Sequence, residues 1–346
     1  MRFAVLLLAG FLAAPVLSAQ RVVSSGGQWL IEPGERSGMI RLTIRFGERR
    51  YSDNWNSQDD VPLSELVGLS AADMRGSGVT VHFKIVRSAG TLDCEGWFGD
   101  GKGSGHFTYQ ANSDFVAELA KRGINGPPPT AWEQFQMTMA DVGLELVDEL
   151  ARQKYERPTA AELARMAMHG VDLEYVREIG ARGYHLGDSK SLVRMRDHGV
   201  DPDFIESLNR AGYKDLSAEE LVRLRDHGVD PEFIASVDSA GYKDLGTEAL
   251  VRLRDHGVDG DYIADMKEMG YAPASPEELV EARDHGVDAS YIASLKEAGY
   301  ERLSLQELRR ARDHGVTRGF ILRVKARGYG NPSLDEVIRL RDRGLE

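Results

Sequence analysis

A period of 29 residues runs through most of this 346-residue chain and constrains its fold more than any other feature. The tripeptide His-Gly-Val and the dipeptide Gly-Tyr both recur at this spacing. The tripeptide begins at His169, His198, His227, His256, His285 and His314. A fixed period of this length is the signature of a repeat protein, in which each unit buries its apolar face against the neighbouring units. The sequence therefore predicts a stacked array.

Each repeat predicts two short helices. In the repeat that starts at Ser217, Glu220 follows three residues later and completes a capping box at the start of the first helix. Gly228 is placed to end this helix in the left-handed conformation. The second helix begins with Asp230 as its N-cap and Pro231 at its first position, where the missing amide costs nothing. Helices this short are marginal alone in water, so they must stack.

The domain organisation follows from where the period begins and ends. Residues 112–346 predict an α-solenoid of about seven and a half 29-residue helix-turn-helix repeats, of which 130–158 is degenerate. Residues 20–111 predict a small antiparallel β domain, because apolar and polar residues alternate over 40–46 and 79–85. Within it we expect a polar loop over 51–60, a short helix within 64–74 and a hairpin turn at Asp100-Gly101. The fold class is therefore α+β.

The first residues predict a targeting segment. Arg2 precedes an apolar stretch over 3–17, and small residues up to Ala19 provide a cleavage site. This pattern indicates a signal peptide over 1–19 and a periplasmic or secreted protein. No later apolar run is long enough to cross a membrane, so we expect no membrane span after cleavage. Cys94 is the one cysteine, which excludes an internal disulfide, and its strand position predicts a buried apolar residue.

Composition and motifs narrow the function further. The chain carries 43 Lys and Arg against 55 Asp and Glu, and a net charge of −12 argues against nucleic acid as the main partner. No His-Glu-x-x-His, Gly-x-Ser-x-Gly or phosphate-loop motif occurs. We therefore expect no enzyme activity, no catalytic residue, no metal ligand and no cofactor. An enzyme would need a constellation on one face of the sheet, made of Asp53, His82, Glu95 and His106.

The triplet Arg-Asp-His is the most distinctive repeated feature. Side chains that recur along an array form a ladder instead of one convergent site, which favours a structural or binding role over catalysis. We expect Arg and Asp to pair between neighbouring repeats, and the arginines to be candidates for gripping carboxylates of a partner. The candidate partner-binding residues are Arg196, Arg225, Arg254, Arg283 and Arg312. The residues assigned to repeat structure are His198, His227, His256, His285, His314, Gly212, Tyr213, Gly241 and Tyr242.

The repeat with His-Gly-Val and Gly-Tyr resembles arrays found C-terminal to membrane-bound antirepressor metallopeptidases of the beta-lactam-sensor (BlaR) type in acidobacteria-like genomes. The segments 89–98 and 101–107 are similar to the β segment that precedes those arrays. The resemblance covers 80–346, while the zinc motif and membrane helices of the peptidase are absent. It therefore implies a free-standing exported version of the sensor-side module, without protease activity.

The favoured function is an exported, non-enzymatic interaction scaffold of the cell envelope, whose solenoid surface binds a protein or peptide partner. Two alternatives remain open. One is a sensory module of an envelope stress or antibiotic response, which binds a small ligand or wall fragment in the β domain. The other is an enzyme that acts on envelope polymers. A tight ligand of 20–111 would favour the first alternative, and activity lost through a single substitution would favour the second.

Overall fold

The computed structural model describes residues 26–47, 54–271 and 275–345. The predicted signal peptide over 1–19 and the candidate Asp53 lie outside the described residues. The chain forms two compact units. The first contains the described residues up to Lys121 together with Asn125–Gly143, and the second contains Arg122–Ile124 and the chain from Leu144 onward.

The first unit is built on a seven-stranded sheet whose neighbouring strands are all antiparallel, in the order β3-β2-β1-β7-β6-β5-β4. The strands are β1 (Gly26–Pro33), β2 (Met39–Gly47), β3 (Asn54–Pro62), β4 (Leu66–Val67), β5 (Val79–Val86), β6 (Gly90–Gly99) and β7 (Lys102–Ala111). As predicted, Asp100 and Gly101 form the two-residue turn between β6 and β7, both with positive φ. This conformation matches the natural twist of the two strands.

One face of the sheet is the core of the first unit. Strand alternation turns Trp29, Phe83, Phe98 and Phe107 to this inner face, where each is at least 98% buried. The predicted short helix is α1 (Ala71–Arg75), which adds Met74 to the core. A helix further along the chain, α3 (Ala131–Met139), adds Phe135, which stacks on the ring of Phe46 at 4.4 Å between centroids.

The predicted polar loop over 51–60 was wrong for the part that the structure describes. Residues Asn54–Pro62 form the edge strand β3, paired with β2 from Met39↔Pro62 to Gly47↔Asn54. Polar side chains are tolerated there because an edge strand has one free side, and the backbone pairing does not depend on apolar side chains. Arg41 on β2 reaches Asp60 on β3 with Nε 3.3 Å from Oδ1, which reinforces the register.

Helices α2–α17 follow the sheet in the sequence. They are α2 (Ser113–Lys121), α3, α4 (Leu144–Arg152), α5 (Ala160–Met168), α6 (Leu173–Ala181), α7 (Ser189–Asp197), α8 (Pro202–Arg210), α9 (Ala218–Asp226), α10 (Pro231–Ser239), α11 (Thr247–Asp255), α12 (Gly260–Glu268), α13 (Pro276–Asp284), α14 (Ala289–Glu297), α15 (Leu305–Asp313), α16 (Arg318–Val324) and α17 (Leu334–Asp342). Odd numbers from α3 are the first helices of the repeats and even numbers are the second helices. The helices α2 and α3 belong to the unit of the sheet.

The repeat helices begin and end as the sequence predicts. Ser217 and Glu220 form a reciprocal capping box at the start of α9, and Gly228 follows its end with φ of 66°. The side chain of Asp230 accepts the Phe233 amide at the start of α10, with Pro231 in the first turn. The repeat therefore carries its helix boundaries in its own residues.

Stacking buries the apolar stripes of the repeats. The first helices α5, α7, α9, α11 and α13 each contact the next first helix, and the second helices α4, α6, α10 and α14 each contact the next second helix. In the repeat of α9 and α10 the buried residues are Leu221, Val222, Leu224, Phe233, Ile234 and Val237. These contacts confirm the predicted α+β fold class, an antiparallel sheet followed by helical repeats. None of the described helices is long and apolar enough to span a membrane.

Candidate functional site

The predicted arginines form a ladder in which each guanidinium lies over an aromatic ring of the preceding repeat. Each arginine comes from the last turn of a first helix, and each ring comes from the start of the preceding second helix. Cation–π attraction and a shared flat shape favour this stacking. The distances from Cζ to the ring centroid are 5.0 Å for Arg196 over Tyr175, 4.8 Å for Arg225 over Phe204, 5.1 Å for Arg254 over Phe233, 4.8 Å for Arg283 over Tyr262 and 4.7 Å for Arg312 over Tyr291. A sixth, Arg341 over Phe320, was missed because its triplet ends in Arg343.

The five predicted arginines keep their hydrogen-bonding capacity. All five are exposed, and within the described parts of the chain their guanidinium groups take part in no hydrogen bond or ion pair. Around Arg225 an open depression of about 360 Å³ is also lined by Asp201, Asp203, Ser207 and Arg210. The guanidinium therefore sits on a ring on one side and presents donors to an open space lined by polar side chains.

Three of the rings are tyrosines, and burial sets their chemistry. Burial raises the pKa of Tyr175, and it raises the pKa of Tyr262 and of Tyr291 to about 12. Their hydroxyls donate to the backbone carbonyls of the next repeat, at 3.0 Å from Tyr175 to Val200, 2.8 Å from Tyr262 to Val287 and 3.1 Å from Tyr291 to Val316. The rings are thus fixed neutral platforms.

The histidines pair with the aspartates of the next repeat. The expectation that the Arg and Asp of the triplet pair between repeats was therefore wrong, since the triplet arginines lie over aromatic rings and the triplet aspartates pair with histidines. The Nδ1–Oδ1 distances are 2.5 Å for His169 to Asp197, 2.6 Å for His198 to Asp226, 2.7 Å for His227 to Asp255, 2.7 Å for His256 to Asp284, 2.6 Å for His285 to Asp313 and 2.8 Å for His314 to Asp342. An ionised carboxylate only accepts, so Nδ1 donates.

The Gly-Tyr dipeptides lie at the end of the second helices. Gly212 and Gly241 have φ of 97° and 105°, which only glycine adopts without strain. The hydroxyl of Tyr213 donates to the carbonyl of Leu245 at 2.8 Å, one repeat further along the chain. Tyr242 is half-buried at the equivalent position, and burial raises its pKa to about 12. Both dipeptides thus belong to the junction between repeats.

The outer face of the sheet brings together three of the four residues that an enzyme would need. His82 lies opposite Glu95, and Glu95 lies opposite His106, so the three share one row across β5, β6 and β7. All three are exposed. Among the described residues no group of three or more His, Cys, Asp or Glu is arranged to hold a metal ion.

No protein-family model matches the chain, and a search of curated proteins finds no similar sequence. The resemblance to the BlaR-type arrays therefore stays a prediction.

Proposed function

We infer that the helical repeats form a non-enzymatic scaffold that binds a protein or peptide partner through its carboxylate groups. The single observation that carries this proposal is the ladder of exposed arginines, each stacked on a ring and each without a hydrogen bond or ion pair in the described part of the chain. Arginine is suited to this role because its planar fork of donors binds a carboxylate in a bidentate manner.

Stacking lowers the cost of binding. A free arginine side chain loses about 2 kcal/mol of rotamer freedom when it is fixed. The ring of the preceding repeat already restricts each guanidinium here, so less entropy remains to be lost on binding. The repeat period places the same donor group once in every 29 residues, which suits an extended partner with several acidic side chains.

The location in the periplasm or outside the cell rests on the predicted signal peptide alone. An envelope partner is accordingly part of the proposal. The alternative functions, a small-ligand sensor and an envelope-polymer enzyme, concern the outer face of the sheet and not the arginine ladder.

The test replaces Arg225, Arg254 and Arg283 together by Ala in the tagged, secreted chain and compares crosslinked capture from the native envelope. We expect one dominant partner with wild type and at least about tenfold less with the variant, since a hydrogen bond to a charged group contributes about 1.5–3 kcal/mol. A variant with Lys at the same three positions keeps the positive charges but lacks the planar guanidinium donors. It should recover only part of the capture.

The matched control replaces Arg194, Arg223 and Arg252 by Ala. These arginines are exposed on first helices of the same array, and Arg194 and Arg223 pair with Glu219 and Glu248 of the next repeat. Circular dichroism first establishes that all variants keep wild-type helicity. Equal capture by both triple variants would mean that the ladder only joins the repeats.

A further inference from the structure

A depression on the outer face of the sheet has the composition of a binding site. It is open, has a volume of about 700 Å³, and is lined by side chains of Gln28, Arg45, Thr80, Glu95, Trp97 and His106 among others. All of these side chains are exposed. A concave surface with an aromatic group and a few convergent polar groups is the usual form of a small-molecule site.

Strand register gathers the polar groups into one row. Arg45 lies opposite Gln28, Gln28 opposite His106, and His106 opposite Glu95, so four neighbouring strands each contribute one side chain. Directly opposed residues on a sheet stand about 5 Å apart. None of these four side chains has a hydrogen bond or ion pair within the described part of the chain, so their donors and acceptors remain available to a ligand.

Trp97 stands beside this row, between Thr80 and Ser104 in the next register position. Trp97 is 57% exposed. Tryptophan is highly buried on average in folded proteins, because burying the indole contributes favourable free energy. An exposed indole does not make this contribution to folding. The ring is therefore free to cover an apolar surface of a ligand.

The backbone beneath the depression is anchored from the opposite face. Gly96 and Gly105 lie opposite each other, and a Cβ on either would approach the ring of Trp29 to within 2.8 Å or less. The Trp29 indole N–H donates to the carbonyls of both Glu95 and His106 at 3.2 Å. Trp29 thus fixes the two strands whose side chains line the site, and the two glycines allow this close approach.

We propose that this depression binds a neutral, flat oligosaccharide of β-1,4-linked pyranose rings. In the gluco configuration, that of glucose and N-acetylglucosamine, such rings carry all their hydroxyls and linkages at the edge and their axial C–H groups on both faces. The faces pack on an indole, whose π surface is negative, while the edges hydrogen-bond to surrounding polar groups. The polar groups here supply both donors and acceptors.

Charge favours a neutral sugar over an ionic ligand. The row contains one guanidinium, from Arg45, and one carboxylate, from Glu95, so neither sign of charge on a ligand would be matched overall. Nearby on the same face, Asp93 already has partners on β5, with Lys84 Nζ at 3.1 Å and His82 Nε2 at 3.1 Å. This site is separate from the proposed partner-binding ladder and does not depend on it.

The test is isothermal titration calorimetry of the secreted chain with cellohexaose and with the N-acetylated chitohexaose. Both oligosaccharides have the flat β-1,4 backbone. Comparing their affinities shows whether the site prefers glucose or N-acetylglucosamine rings. We expect one of them to bind, Trp97→Ala to weaken binding by about tenfold or more, and Trp97→Phe to weaken it less. Glu95→Gln should weaken binding by a smaller factor, since the amide keeps one acceptor.

Two controls make the outcome decisive. Val86→Ala removes an exposed apolar side chain from the same strand as Thr80 but outside the depression, and should leave binding unchanged. Maltohexaose has a coiled α-1,4 backbone and should not bind. Failure of both flat oligosaccharides to bind, or equal binding by wild type and Trp97→Ala, would overturn the proposal.

Discussion

In the repeats that carry the Arg-Asp-His triplet, these three consecutive residues contact both neighbouring repeats. In the repeat of α9, Arg225 stacks on Phe204 of the preceding repeat and Asp226 accepts a hydrogen bond from His198 of that same repeat. His227 points the other way and donates to Asp255 of the following repeat. An exposed hydrogen-bonded pair contributes on the order of 1 kcal/mol or less, so the ladder of pairs adds modestly to a core built by apolar side chains.

At the same scale, Cys94 should be inert in the folded protein. It is fully buried on the inner face of the sheet, and burial raises the pKa of its thiol to about 12. Since the thiolate is the reactive form, a water-soluble disulfide reagent at neutral pH should label no thiol in the native chain. The same reagent in guanidinium chloride should label one thiol per chain. Rapid labelling without denaturant would contradict the burial of Cys94.

At the scale of the element, the capping boxes tie the stability of the first helices to pH. The backbone amide of Ser217 donates to the carboxylate of Glu220 at 2.8 Å and its hydroxyl donates at 2.7 Å. These hydrogen bonds hold the pKa of Glu220 below its usual value, and equivalent bonds lower the pKa of Glu162, Glu307 and Glu336. The ionised caps therefore stabilise the fold above the ordinary glutamate pKa and lose this contribution as the pH falls through the lowered value.

We expect the combined variant Glu220→Gln, Glu307→Gln and Glu336→Gln to reveal this contribution. A glutamine oxygen still accepts the cap amide but carries no charge for the helix N-terminus. At about pH 7 the variant should melt a few degrees below wild type, and the difference should shrink as the pH falls below the ordinary glutamate pKa and the wild-type caps become protonated. Melting curves followed by circular dichroism across this range make the comparison. A difference that stays constant with pH would contradict the assignment.

At the scale of the whole molecule, the repeats should tolerate the loss of one period. Deleting 217–245 removes 29 residues and brings Arg254 over Phe204 and Asp255 to His198, so the new junction repeats the old contacts. Stability of a stacked array is nearly a sum over units and their interfaces, so this chain should fold with a moderately lower melting temperature.

The matched control deletes 217–230, which removes the helix α9 and leaves two second helices in succession. This smaller deletion should lower stability more than the larger one, because the apolar stripes then face the wrong neighbours. Circular dichroism and thermal unfolding of the two variants measure the effect. If the 217–245 deletion is the less stable of the two, the repeats are not interchangeable units.

The local features of this protein were readable from the sequence. Capping boxes, N-cap aspartates, positive-φ glycines and the Asp100-Gly101 turn act over a few residues. The boundaries of repeat helices such as α9 and α10, and the hairpin, could therefore be predicted from the residues that form them. The period of 29 and the alternation of the strands also predicted which side chains are buried, as for Leu221 and Phe83. These patterns reflect the geometry of one helix or one strand.

Only the tertiary structure decided which distant groups meet. Asp226 could have paired with an arginine or a histidine of the neighbouring repeat, and the structure pairs it with His198, while the triplet arginines lie over rings, as Arg225 does over Phe204. The helix α3 follows the repeat period in sequence but adds Phe135 to the core of the sheet. Register alone gathers Gln28, His106 and Glu95 into one row, and the same register pairs the polar strand β3. These outcomes depend on contacts between segments far apart in sequence, which no local pattern records.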